Sequence, residues 1–472
     1  MLSLRPAARC ILSRSFQTCH YSSSTPNFPR TISSLLHSPL SDEKAAETVT
    51  VTGWVRSVRR MKNVSFAHIS DGSTIHPLQA VLTKEQSENL SMGASVKIMG
   101  EWKEELLAEK VEVLGEANPL SYPLQKKYQT PEFLRTLLHL RPRIPANTNL
   151  LHLRSNIIST LTAFFVERSF IQCHTPIITP SDCEGAGEVF TITRPENFFG
   201  APKYLTVSSQ LYLEALTAAV PKVWTLSPAF RAEKSDTARH LSEFYMLEVE
   251  IAFIDTLDPL IALIEDMVKT LIRSISTSRL GKETLSVVGD EDKARVLEGR
   301  WKDLLERPWS RITYTEAISR LSSAVERKEV QFHERFLAQT VFDGPVFVTD
   351  YPKSLKPFYM LPSTSTTPTL EGGETVACFD LLVPAVGELI GGSLREHRYD
   401  ELLAEMRKRG MAVGDGGEDE ESLRWYLELR KWGSIKHGGF GLGFDRLMCY
   451  LAGVENIREA VAFPRWVGRC DC

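Results

Sequence analysis

Two strand-length runs, Val223–Phe230 and Phe244–Phe253, flank a hydrophilic stretch from Ala232 to Arg239. That spacing predicts an antiparallel hairpin with a polar loop. In the second run Phe244, Met246, Glu248 and Glu250 alternate and so share one face. Four residues of strand separate Phe244 from Glu248 by about 13 Å, enough to stack a purine at one end and hold a small substrate's side chain at the other. Arg231, at the start of the loop, has the permanent charge and forked donors needed to neutralise an α-phosphate during adenylation. The hairpin therefore has the parts of an adenylate-forming site.

The 472 residues are too many for one ordinary core and predict two or three domains. From Thr48 to Gly115 short alternating runs, Val49–Val55, Val64–Ile69, Pro77–Leu82 and Ser95–Gly100, predict a small β-barrel spanning residues 42–116. A polar, proline-punctuated segment, 117–145, follows as a hinge. The second domain, 146–472, opens with an amphipathic helix over Leu150–Arg168, in which Leu150, Leu153, Ile157, Ile158, Leu161 and Phe165 keep helical spacing. Residues 276–328 mix charges with helix formers and read as an inserted surface helical embellishment, and the acidic run Gly414–Glu421 as a solvated loop.

A net charge of −4 gives no global basic signature, so nucleic-acid binding would have to use a local patch. No run of about eighteen apolar residues is present, which excludes a conventional transmembrane helix. Residues 1–41 lack Asp and Glu but carry Arg5, Arg9, Arg14 and Arg30 with many serines, the composition of a mitochondrial transit peptide directing the chain to the matrix. The eight cysteines are scattered without CxxC pairs and fit a reducing compartment. No zinc is assigned to Cys470 and Cys472.

Phe230-Arg231-Ala232-Glu233, followed by Arg239-His240-Leu241 and Glu243-Phe244, resembles motif 2 of the class II aminoacyl-tRNA synthetases. Phe170–Pro176 resembles motif 1, and His437-Gly438-Gly439-Phe440-Gly441-Leu442-Gly443-Phe444-Asp445-Arg446 resembles motif 3, with Asp445 where many relatives have Glu. Thr175–Ile178, Ser181–Glu188 and Gly391-Gly392-Ser393 are similar to the asparaginyl branch. The resemblance implies an α+β chain, with an N-terminal OB-fold barrel for the anticodon and an antiparallel class II sheet flanked by helices. It implies ATP as substrate, bound by Arg231, Glu233, His240, Phe244 and Arg446, with Arg231 and Arg446 catalytic. It places Mg2+ on Asp380 and Glu388, two carboxylates flanking the Pro384–Gly387 turn, and it implies a homodimer. Glu184, Gln210, Glu248 and Arg395 are the implied amino-acid contacts. Arg56, Phe66 and Gln79 are the implied anticodon contacts of tRNA(Asn), with Arg59, Arg60 and Lys62 tracking phosphate.

Pocket charge separates asparagine from aspartate. Glu248 accepts from an amide NH2 but repels a carboxylate, whereas Arg395 donates to either side chain. Aspartyl relatives place a lysine at the position of Leu213, and its loss leaves a second negative charge unbalanced, which favours asparagine. Leu394 and Tyr212 depart from the residues usual in the asparaginyl branch. The alternatives are an aspartyl enzyme, a non-catalytic tRNA-binding paralogue and an ammonia-dependent asparagine synthetase. Retention of the phosphate-handling residues argues against the paralogue, and the N-terminal barrel against the synthetase.

Overall fold

The structure is a computed structural model that describes residues 28–37, 47–180, 189–192, 198–326, 333–364, 373–411 and 423–472. Most of the basic leader, the motif Ser181–Glu188 with Glu184, and the acidic run Gly414–Glu421 lie outside the described residues. The chain forms two compact units, Met1–Tyr122 and Pro123–Cys472. Among the described residues no helix is long and apolar enough to cross a membrane.

In the first unit β1 (Glu47–Arg60), β2 (Ser65–Ser70), β3 (Leu78–Leu82), β4 (Ser95–Trp102) and β5 (Leu106–Gly115) close a barrel in the order β1-β2-β3-β5-β4. Alternation drives it: Val51, Val55, Ala67, Ile69, Leu78, Ala80, Val96 and Ile98 point inward and are buried. The fifth strand went unnoticed in the sequence because Glu109, Lys110 and Glu112 break up its apolar run.

The second unit is built on an eight-stranded sheet. Its strands are β6 (Ile171–Gln172), β10 (Lys222–Phe230), β11 (Glu243–Ala252), β12 (Ser310–Thr313), β13 (Val346–Thr349), β14 (Cys378–Val383), β15 (Gly387–Leu394) and β16 (His437–Gly443). The order is β12-β13-β14-β15-β16-β11-β10-β6, antiparallel except at the two outermost pairs. Three short strands, β7 (Ile178–Thr179), β8 (Thr191–Ile192) and β9 (Lys203–Leu205), form a separate small sheet. The predicted hairpin is β10–β11, in which Ala229 pairs with Phe244 and Thr225 with Glu248.

One face of this sheet is the core. Leu247, Val249 and Ile251 of β11 share one core with the helix Pro145–Glu167, whose Leu153, Ile157, Leu161 and Phe165 are fully buried. Proline at the first helical position starts that helix. Phe165 stacks on Trp224 of β10 with ring centroids 4.6 Å apart. The helix Asp258–Ser276 adds seven buried apolar side chains, each contributing about 1.5–3 kcal/mol. The opposite face carries Met246, Glu248 and Glu250.

Two sequence expectations change here. The segment 276–328 is not a surface embellishment: Leu297, Trp301 and Leu304 of the helix Glu291–Glu306 enter the main core, and Ser310–Thr313 is a strand of the sheet. Charged neighbours had masked this i, i+4, i+7 stripe. Within 117–145, Arg141 is 1% exposed and donates to the carbonyls of Arg458, Val461 and Ala462, so this part of the expected hinge is built into the second unit.

The glycines of β16 permit close packing. A methyl on Gly439 would overlap the Val249 carbonyl and the Glu250 carboxylate, and backbone cannot yield to it. Gly439→Ala is expected to lower unfolding free energy by about 1–3 kcal/mol or more, measured by urea denaturation.

Candidate active site

The polar face of the sheet bears two adjoining cavities that share Arg231, Met246, Glu388 and Gly441. The first, of about 260 Å³, is bounded by Ser208, Gln210, Leu213, Glu248, Glu250, Lys356, Tyr359, Asp380 and Arg395. The second, of about 200 Å³, is bounded by Glu233, Arg239, His240, Phe244, Asp445 and Arg446. Strand register explains the meeting: Glu248 lies opposite Gly441, which lies opposite Gly391. Side chains from β11, β14 and β15 thus converge over a glycine floor.

In the second cavity Arg231 lies 5.8 Å from the centroid of the Phe244 ring and 3.9 Å from Glu233. His240 bonds Ser235 and Thr237 through Nδ1, at 3.0 and 2.5 Å. Burial pushes His240 below its ordinary pKa; Glu233 opposes this, and the cations Arg446, Arg239 and Arg231 add to the fall, which favours the neutral imidazole. Arg446 donates to the Glu388 carbonyl at 3.1 Å. Asp445 is an anchor: it pairs with Arg154 of the long helix at 2.5 Å and accepts from the Tyr245 N–H at 2.8 Å. Arg239, whose side chain donates to the Val386 carbonyl at 3.2 Å, ties the motif 2 loop to the β14–β15 turn.

Asp380 and Glu388 do converge. A methyl on Gly391 would lie 3.3 Å from one Asp380 oxygen and 3.4 Å from one Glu388 oxygen. Burial and then the Asp380 charge raise the Glu388 pKa. Two hard oxygen donors held together against their mutual repulsion fit a hard cation that completes its shell from phosphate and water. Among the described residues there is no group of three or more metal-ligating side chains.

The first cavity holds a denser charge array. Glu248 is 4% exposed and accepts from the Ser208 hydroxyl and, at 2.8 Å, from the Ser209 N–H. Burial raises its pKa, and these two donors moderate the rise. Arg395 grips Glu250 with Nε at 3.1 Å and Nη2 at 3.0 Å and reaches Ser393 with Nη1 at 2.7 Å. These contacts use three of its five N–H groups. Gln210 opens the helix Gln210–Thr217, and its amide donates to Glu214 at 3.0 Å.

Lys356 was missed in the sequence. It lies in this cavity with its ammonium 2.7 Å from Asp380, so the loss of lysine at Leu213 does not leave the pocket without one. Its charge is matched by Asp380, and no local periodicity marked it. Leu394 and Tyr212 do not bound the cavity: Leu394 packs into the core, and Tyr212 stacks on Trp425 at 5.5 Å.

On the barrel, Phe66 and His68 face outward between the buried Ser65, Ala67 and Ile69. His68 Nε2 lies 2.9 Å from the Gln79 side-chain oxygen, Gln79 donates to Glu105, and Ser57 bonds His68 at 3.1 Å. This chain fixes the Gln79 amide. Arg56 bonds Ser70 at 3.4 Å. Arg60, expected to track phosphate, holds the carbonyls of Ser87 and Leu90 at 2.8 and 2.7 Å.

Comparison with known proteins places this geometry. Residues 131–467 match the model of tRNA synthetases class II (D, K and N), and residues 49–116 match the OB-fold nucleic acid binding domain. The mitochondrial asparagine–tRNA ligase of Schizosaccharomyces pombe is 41% identical over 93% of this chain and 98% of its own length. The asparagine–tRNA ligase of Desulfotalea psychrophila is 41% identical over 90% of this chain and 97% of its own. The crystal structure of asparaginyl-tRNA synthetase from Pyrococcus horikoshii complexed with asparaginyl-adenylate superposes with a TM-score of 0.77 at 31% identity, covering 90% of this chain and 96% of that one. With the family model spanning most of its length and residues of motifs 2 and 3 contributing to both cavities, the chain belongs to the class II tRNA synthetases of the D, K and N group.

Proposed function

We propose that the chain activates asparagine with ATP to asparaginyl-adenylate and transfers it to tRNA(Asn) in the mitochondrial matrix. The observation that carries the choice of amino acid is the buried Glu248 carboxylate, whose hydrogen-bond partners are a serine hydroxyl and a backbone N–H. Its remaining lone pairs accept from a carboxamide NH2, and a substrate carboxylate there would meet the like charge of a buried group. Lys356 favours aspartate, but its ion pair with Asp380 already matches its charge. The relatives named above are asparagine ligases, and that of Schizosaccharomyces pombe is mitochondrial.

The substrate carboxylate attacks the α-phosphate, and pyrophosphate leaves. Arg231, common to both cavities, neutralises the charge that develops on the α-phosphate. Arg446 and Phe244 bracket adenine, Glu233 meets its edge, and His240 and Arg446 hold the outer phosphates. Gln210 and Glu184 receive the α-ammonium group, and Arg395 donates its remaining N–H groups to the side-chain oxygen. Asp380 and Glu388 would hold Mg2+, which supplies charge neutralisation across the phosphates. The tRNA 3′-terminal hydroxyl then attacks the acyl carbon of the mixed anhydride, the acyl–phosphate bond breaks and AMP leaves, with no side-chain nucleophile required.

The barrel serves as the anticodon-binding domain: Phe66 stacks an unstacked base, Gln79 reads a base edge with its fixed amide, and Arg56 meets phosphate. A homodimer completes the assembly. Its support is exposed apolar surface on and after the edge strand β6: Ile171 of that strand and Ile177 and Ile178 beyond it are 50%, 41% and 43% exposed, side chains of the kind that a partner would cover.

Pyrophosphate exchange into ATP tests the proposal: purified protein is expected to catalyse it with asparagine and not with aspartate, and the opposite preference would overturn it. Arg231→Ala is expected to lower the rate by about 10²–10³-fold. A pH series of the same assay checks the metal pair. Glu388 holds a cation only when ionised, and its raised pKa means that protonation begins at higher pH than for an ordinary glutamate near 4.5. The acid limb of the rate should therefore fall off above that value, and Asp380→Asn, which removes the neighbouring charge, should move the limb to lower pH.

A further inference from the structure

Glu214 lies behind the first cavity and does not bound it, yet it is bonded to the residues that do. Its side chain is fully buried. It accepts from Gln210 Nε2 at 3.0 Å, from the Tyr426 hydroxyl at 2.8 and 3.0 Å, and from Arg430 Nη2 at 2.6 Å. His437 Nε2 lies 3.1 Å from it and Arg395 Nε 3.9 Å. Glu250 accepts from Arg395 Nε and Nη2. Two buried carboxylates thus face two buried guanidinium groups, and their formal charges cancel. Arg430 does not bound the cavity either: its Nε is on the Glu396 carbonyl at 3.0 Å and its guanidinium 4.2 Å from the Tyr426 ring centroid.

We infer that Glu214 is a positioning residue that sets discrimination between asparagine and aspartate by cancelling the charge of Arg430 behind Arg395, while holding the Gln210 amide. The inference rests on the asparagine reading given above. Without the Glu214 charge, a single carboxylate would serve two guanidinium groups, and the surplus positive charge would attract a ligand carboxylate at the place built for a neutral carboxamide. Without the Arg430 charge, the surplus would be negative and a carboxylate would be rejected more strongly. A residue needed only for folding would weaken both ligands together in either variant.

The test is the inhibition constant of two non-hydrolysable sulfamoyl-adenosine analogues, one asparaginyl and one aspartyl, against the full-length protein. Glu214→Gln is expected to shift the ratio of the two constants roughly tenfold toward the aspartyl analogue. Arg430→Gln should shift it the other way, and the double variant should return it toward wild type. Glu214→Asp, which keeps the charge, should preserve the ratio. Ratios that stay within about twofold of wild type in the single variants would overturn the inference. Should Glu214→Gln not fold, Arg430→Gln and the double variant decide the matter by the same signs. A wild-type protein that prefers the aspartyl analogue would instead sink the asparagine reading, so the two failures are distinguishable.

Discussion

The register of β11 against β16 is the constraint from which the candidate site follows. Side chains alternate along a strand, so Leu247, Val249 and Ile251 can enter the core only if Met246, Glu248 and Glu250 stand on the other face. A slip of one residue would drive two carboxylates into the hydrocarbon core and expose its apolar partners, a change far more costly than any single contact in the unit. The glycines opposite, Gly439 and Gly441, allow the acids to lie down over the neighbouring strand. Core packing and substrate recognition are therefore two faces of one pairing pattern.

Burying so much charge is tolerable because nearly every group has a partner. Glu214, Glu250, Arg395 and Arg430 form one connected array, and Lys356 and Asp380 form another. Breaking such a pair by removing one partner typically costs about 3–5 kcal/mol, because the other charge is left buried. Burial nevertheless raises Glu248, Glu250 and Glu388, and a like-charged neighbour adds to the rise at Glu250 and Glu388. Groups held in unfavourable ionisation states cluster where ligands supply what the protein withholds.

Much of this was legible from the residues. The period-two pattern located the β10–β11 hairpin within a residue or two, the apolar stripe over Leu150–Arg168 located the helix Pro145–Glu167 except for its first turn, and the alternating runs located four of five barrel strands. What escaped notice depended on contacts between distant segments. Lys356 sits in a short irregular stretch with no periodicity, and its proximity to Asp380 arises only when β14 is placed beside it. Glu214 and Arg430 are 216 positions apart, and neither has a local signature of burial. The stripe of Leu297, Trp301 and Leu304 was present in the sequence but diluted by charged residues on the rest of the helix, so composition outweighed spacing.

The helix Glu291–Glu306 has an implication for the architecture of the unit. Trp301 Nε1 donates to the Leu451 carbonyl at 3.0 Å and Arg300 to that of Tyr450 at 2.8 Å, near the end of the helix Phe444–Ala452 that begins with Asp445 and Arg446. These bonds cap carbonyls that a helix terminus leaves unsatisfied. A pared-down version of the fold that omitted this stretch would strip the closing turn from the very helix that presents Arg446, leaving a void under it. An apparently dispensable appendage is in this sense a buttress, and miniaturisation would have to begin elsewhere.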